Sequence, residues 1–67
     1  MMDASISELS SALRVLLVED DDFNRLLLDD YLTHHGYQVL GLAEGSSFFS
    51  TLAQFQPHVV LLDLKLP

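Results

Sequence analysis

The sequence predicts an α/β protein, a parallel sheet built in the order strand, helix, strand, helix, strand. Two apolar runs, "RVLLV" at 14–18 and "VVLL" at 59–62, show no alternation, which is how strands buried on both faces read. Amphipathic helical patterns lie between them. Each run stops at a carboxylate, Glu19 after the first and Asp63 after the last. Buried strands separated by helices pair in parallel through right-handed crossovers.

Taken in order, residues 1–13 are rich in Ser and Ala and read as a flexible leader, which leaves 14–67 as one unit. After the strand at 14–18, a helix is expected over 22–35. Asp21 or Asp22 can accept from its first-turn amides, and carboxylates there meet the positive end of the helix dipole. Phe23, Leu27, Tyr31 and His35 recur every fourth residue, with Leu28 and Leu32 beside them, as a broad apolar stripe. Gly36 stands where a left-handed residue ends a helix. "YQVLGLA", 37–43, reads as a more exposed strand weakened by Gly41. "EGSS" turns the chain, with Ser46 or Ser47 as the next N-cap. The second helix runs to Phe55 and buries Phe48, Leu52 and Phe55, flanked by Phe49 and Ala53. Pro57 stops it and biases Gln56 toward extended geometry. The third strand, 59–62, is left with an open edge on which a further strand, including that of a second copy, would pair.

Composition narrows the function classes. The 67 residues carry 3 Lys+Arg against 10 Asp+Glu, a formal charge of -7. Binding to nucleic-acid phosphates needs clustered cations, and Arg14, Arg25 and Lys65 stand singly. The same charge disfavours anionic membranes, and no apolar run approaches the length of a span. With no Cys there is neither a disulfide nor a thiolate metal site, which fits a reducing, cytoplasmic compartment. A chain this short buries only about 60% of its extended surface, so its core is small.

The stretch "VLLVEDDDFN" drives an apolar strand into four consecutive carboxylates, Glu19 to Asp22. In open α/β sheets ligands bind at the carboxyl ends of the strands, where the strand order switches. Glu19 and Asp20 leave the first strand at that edge, and Asp63 leaves the third there too; if these strands are neighbours, all three carboxylates converge. Converging carboxylates repel unless a cation intervenes. Oxygen donors without thiolates suit Mg²⁺, held by a few carboxylates, a carbonyl and waters.

"RVLLVEDDDFNRLLLDDYLTHHGYQV" followed by "HVVLLDLKLP" resembles the first half of a response-regulator receiver domain, the phosphoacceptor module of two-component signalling. The resemblance spans 14–67 and rests on several elements in order: the acidic pair after strand one, the helix ending in "HGY", the "AEG" turn and "LLDLKLP". It implies a doubly wound, flavodoxin-like sheet truncated after its third strand. It also implies that Asp63 is the phosphoacceptor, receiving a phosphoryl group from a histidine kinase or phosphotransfer protein. Glu19 and Asp20 would be the acidic pair holding Mg²⁺ together with Asp63, and the Lys65 backbone carbonyl would be a further ligand. Pro67 matches the Pro that turns the chain into the next loop. Three family positions have no counterpart in these 67 residues: a hydroxyl residue after strand four, and a Lys after and an aromatic on strand five. Lys65 is not that Lys, since it follows the acceptor by two residues.

Plainer readings stand beside these. Asp63 could be an ordinary turn residue and Glu19 and Asp20 a solvated strand end. Asp21 and Asp22 read as helix cap and first turn. His34 and His35 suit a helix C-terminus better than a metal site with Asp30. His58 is a polar residue before a buried strand, and Phe48 and Phe49 lack the cations of a base-stacking platform. The expected function is acceptance of a phosphoryl group rather than enzymatic turnover. The alternative is a receiver remnant, inert or acting only as a structural, strand-pairing module. A carboxylate-metal hydrolase ranks lower, because Lys65 stands where its second Asp would be.

Overall fold

The computed structural model describes residues 12–63; the leader up to residue 11, and Lys65 and Pro67, lie outside them. The elements are β1 (Arg14–Val18), α1 (Asp22–His34), β2 (Gln38–Leu42), α2 (Phe48–Phe55) and β3 (Val59–Leu62). The strands form one sheet in the order β2-β1-β3, and both pairings are parallel. β2 and β3 lie on opposite sides of β1, and the right-handed rule for parallel crossovers assigns α1 and α2 to opposite faces of the sheet. This is the doubly wound arrangement that the pattern predicts, with β1 and β3 over 14–18 and 59–62. However, β3 is not buried on both faces as its unalternating run led one to expect: it is paired along one edge, Val59, Leu61 and Leu62 are exposed and Val60 is half-buried.

The central strand supplies the core. Val15, Leu16 and Leu17 are buried, with Leu16 fully enclosed. A fully buried aliphatic side chain stabilises by about 1.5–3 kcal/mol, so these few residues hold much of the small sheet together. The absence of alternation in "RVLLV" therefore has its expected cause, a strand covered on both faces and paired along both edges.

Helix α1 starts as expected. Asp21 is the N-cap, with its Oδ2 accepting from the Asn24 N–H at 2.8 Å. Asp22 is the first helical residue. The helix ends one residue before the expected His35, which serves as the C-cap. Gly36 follows at φ 92°; its N–H donates to the Thr33 carbonyl and that of Tyr37 to the Leu32 carbonyl. These paired bonds make a Schellman closure. Tyr37 is thus committed to ending the helix, and β2 begins at Gln38 rather than at residue 37.

The apolar stripe of α1 does not face the core. Phe23, Leu27 and Tyr31 are more than half exposed, and no residue of the helix is fully buried. The half-buried positions are Arg25, Asp29 and Leu32, at helical spacing. α1 lies mainly against the edge strand β2, and Leu27 and Leu28 border an opening shared with Leu61 and Leu62 of β3.

In α2, Phe48, Leu52 and Phe55 are only half-buried, short of the burial their spacing led one to expect, while Phe49 and Ala53 are exposed. Ser47 is the N-cap by position, without a side-chain bond. Gln56 departs from expectation: it is left-handed, at φ 51° and ψ 62°, not extended. Pro57 disfavours the right-handed helical region before it, and the left-handed region is the alternative that reverses the chain within the short link to β3. Arg14 supports the reversal, with Nε donating to the carbonyls of Phe55 at 3.0 Å and Gln56 at 2.9 Å. His58 has a structural task as well, its Nδ1 accepting from the Arg14 N–H at 2.9 Å.

A Cβ at Gly36 would meet nothing within 4 Å, so only backbone conformation opposes a side chain there. Gly36→Ala should lower stability by about 1 kcal/mol, read as a reduced urea midpoint with an unchanged slope. An unchanged midpoint would show that residue 36 is not left-handed.

Candidate functional site

The site is built by the two parallel ladders on β1. Val18 stands opposite Leu42 on one side and Leu62 on the other. Both ladders run one bond further: Glu19 N–H donates to the Leu42 carbonyl at 3.0 Å, and Asp63 N–H donates to the Val18 carbonyl at 3.1 Å. The carboxyl ends of β1 and β3 are therefore neighbours, and Asp63 lies beside the start of the acidic run although it stands 44 positions after Glu19. This edge is also where the strand order switches about β1.

The carboxylates differ in setting. Glu19 is 1% exposed and its Oε2 accepts from the Asp21 N–H at 2.9 Å. Asp20 and Asp63 are exposed. Asp21 and Asp22 belong to the helix start, the former as cap and the latter in a 2.6 Å ion pair with Arg25. The cap and first-turn reading of these two residues holds.

A cleft of about 380 Å³ opens between α1 and β3 on one face of the sheet. Glu19, Asp63 and Asn24 give it a polar end, and Leu27, Leu28, Leu61 and Leu62 give it apolar walls. The structure thus brings Glu19 and Asp63 to one cleft. Among the described residues, no three carboxylate, imidazole or thiol groups approach closely enough to hold a metal ion between them. Lys65 lies outside those residues. The donor chemistry nevertheless fits Mg²⁺, which keeps most of its waters and takes one or two carboxylates where Ca²⁺ would need a fuller cage. Of the residues expected to hold it, Glu19 and Asp63 line the cleft, whereas Asp20 is not among its lining residues.

Sequence reasoning missed two neighbours of the site. Asn24 lines the cleft, and nothing in its type or spacing distinguishes it from a helix-surface amide. Arg25, read only as an isolated cation, donates from Nη1 to the Glu19 carbonyl at 2.9 Å and from Nη2 to Asp22. Its spacing of three from Asp22 was the available signal. His34 and His35 sit at the helix end as expected, with the His35 ring 4.5 Å from that of Tyr31.

A β2-β1-β3 parallel sheet with acidic residues at its switch point defines the first three strands of a flavodoxin-like, receiver-type fold. The chain belongs to the response regulator receiver domain family, whose family model matches residues 15–67. It is 37% identical over 54 residues to the transcriptional regulatory protein YxdJ of Bacillus subtilis, covering 81% of this chain and 24% of that protein. It is 38% identical over 53 residues to the transcriptional regulatory protein GltR of Pseudomonas aeruginosa, covering 79% and 22%. With the chemotaxis protein CheY of Thermotoga maritima it shares 36% identity over 55 residues, 81% of this chain and 46% of that one. The chain thus spans less than half the length of these relatives. No solved structure matches it.

Burial makes Glu19 sensitive to substitution. In metal-free protein, Glu19→Ala should cost about 1–3 kcal/mol, because the Asp21 N–H loses its acceptor. Glu19→Gln, whose amide oxygen can still accept, should cost less. Urea denaturation of the two variants checks this; equal losses would mean that the hydrogen bond at Oε2 is unimportant.

Proposed function

We propose that this chain is a phosphoacceptor receiver module of two-component signalling, with Asp63 as the acceptor. The phosphoryl donor is the phosphohistidine of a histidine kinase or phosphotransfer protein. One observation carries the reading: the β1–β3 ladder continues to the Asp63 N–H, so an exposed carboxylate stands beside a buried one at the switch point of the sheet.

An Asp63 carboxylate oxygen attacks phosphorus, forming an acyl phosphate. The bond from phosphorus to the donor imidazole nitrogen breaks, and that nitrogen keeps the electron pair. The role is that of a stoichiometric acceptor, not an enzyme. Glu19, Asp20 and Asp63 would hold Mg²⁺ in this reading, with the Lys65 backbone carbonyl as the further ligand that the family resemblance implies. When bound, the ion offsets repulsion between the anionic nucleophile and donor and stabilises the phosphoryl oxygens in the transition state. The acyl phosphate adds charge and acceptor oxygens at the mouth of the cleft, the kind of local change that biases a responsive surface. A cytoplasmic location fits the kinase partner and the Cys-free composition. Among the described residues no helix is long and apolar enough to cross a membrane.

A second reading, a strand-pairing interaction module, is favoured by β3. Its outer edge has no partner strand among the described residues, and Val59, Leu61 and Leu62 are exposed. A concentration-dependent rise in mass by sedimentation, without phosphorylation, would favour it.

Incubation with Mg²⁺ and a small phosphodonor such as an acyl phosphate or phosphoramidate should add one phosphoryl group, seen by intact-mass spectrometry. Asp63→Asn or chelation of the metal should abolish the gain. Undiminished labelling of the Asn variant would move the acceptor elsewhere; no labelling of the parent chain would count against the reading.

A further inference from the structure

We propose that Arg25 is a positioning residue for the acidic turn, holding Glu19 and Asp20 in place from across the edge strand. The guanidinium spans two anchors. Nη1 donates to the backbone carbonyl of Glu19 at 2.9 Å, and Nη2 donates to Asp22 Oδ1 at 2.6 Å. One anchor is where the chain leaves β1, and the other is the first residue of α1. Between them lie Asp20 and Asp21, so the bridge closes the whole turn.

Three features separate this from an ordinary surface ion pair, which contributes little. The Arg25 side chain is only 21% exposed, against 83% for Asp22. One of its two targets is a main-chain carbonyl, which an exposed i,i+3 pair would not need. And it crosses β2 at Gly41, where a Cβ would come within 3.3 Å of both Arg25 Cγ and Cδ. That is tighter than ordinary contact, so a Cβ at 41 would require the arginine stem to shift by a few tenths of an ångström. Gly41 weakens β2 as a strand residue, and the passage of Arg25 gives it a positive use.

The chemistry requires arginine. A planar fork reaches two acceptors at once with fixed geometry, whereas an ammonium group offers a single point. A cation so near a helix N-terminus also works against the dipole, which gives this position a cost that the two anchors offset. The Glu19 carboxylate is held separately through the Asp21 N–H, so carbonyl and carboxylate of one residue are each tied to the turn. Such outer contacts fix the orientation of groups that meet a ligand.

The relevance to metal binding rests on the phosphoacceptor reading; the ordering of the turn does not. The test therefore has two arms, both on the 67-residue chain. In the first, backbone ¹⁵N relaxation is compared for the parent, Arg25→Met, Arg25→Lys and Gly41→Ala without metal. Order parameters at residues 19–21 should be near 0.85 in the parent and fall toward about 0.6 in Arg25→Met. Gly41→Ala, which keeps every donor but crowds the stem, should loosen the same residues in part. In the second arm Mn²⁺ serves as probe, and paramagnetic broadening at residues 19, 20 and 63 is titrated. Arg25→Met should weaken binding about tenfold, and Arg25→Lys should recover only part of the loss. Unchanged order at 19–21 in both Arg25→Met and Gly41→Ala would overturn the proposal, as would unchanged Mn²⁺ affinity in a folded Arg25→Met. Should Arg25→Met fail to fold, Arg25→Lys decides by the same two readouts. Absence of Mn²⁺ binding by the parent would sink the metal reading alone, leaving the first arm to decide the role of Arg25.

Discussion

A carboxylate buried at the end of the central strand is the constraint around which the other elements arrange themselves. Glu19 is as enclosed as the leucines of β1, yet it opens a run of four acidic residues. Removing such a group from water is unfavourable unless its oxygens are hydrogen-bonded. The chain meets this locally: it turns at once, brings the Asp21 N–H back onto Glu19 Oε2, and starts a helix whose cap is Asp21 itself. One residue thereby donates to the buried carboxylate and accepts from the helix. The acidic run is a strand end, a cap and a first turn in sequence, and each carboxylate has a different neighbour.

The strand order turns that local solution into a site. With β1 in the middle, its carboxyl end borders the ends of both β2 and β3, and each ladder extends one bond past the strands. The extension on the β3 side fixes Asp63 next to the buried glutamate. Had β3 paired outside β2, the two strand ends would lie two strand spacings apart, about 9–10 Å. Parallel pairing on opposite sides of β1 is therefore what makes a two-carboxylate site from residues in separate halves of the chain.

Much of this was legible because it depends on residue types with a single common use. Unalternating "RVLLV" and "VVLL" gave strand bounds that agree with the structure, and Gly36 and Asp21 marked the ends of α1. Proximity of Asp63 to Glu19 followed only on the condition that the first and third strands are neighbours, which the β2-β1-β3 order meets. The remainder depends on packing between elements, to which periodicity is blind. The stripe of α1 marked its more apolar side correctly, but which side meets the sheet is set by how the helix lies over β2. Gln56 adopts a rare conformation where the chain reverses before Pro57, and Arg14, 42 residues earlier, supports it by binding the carbonyls at the end of α2. Arg25 looked like one of three scattered charges, and only the gap at Gly41 reveals its path to Glu19.

The orientation of α1 then has a physical explanation. An amphipathic helix ordinarily turns its leucines to the sheet, yet here Arg25 and Asp29 are half-buried while Phe23, Leu27 and Tyr31 are exposed. Rotating the helix to bury that stripe would swing Arg25 away from Gly41 and break its bond to the Glu19 carbonyl. The helix also enters directly from the capped acidic turn, which leaves little freedom to rotate its first residues. Burial of the stripe and closure of the turn are thus alternatives for one helix, and the structure adopts the second. Its consequence is the cleft itself: Leu27 and Leu28 stand over Leu61 and Leu62, and the polar end of the opening is Glu19 and Asp63. The geometry that orders the acidic residues also shapes the apolar surface beside them.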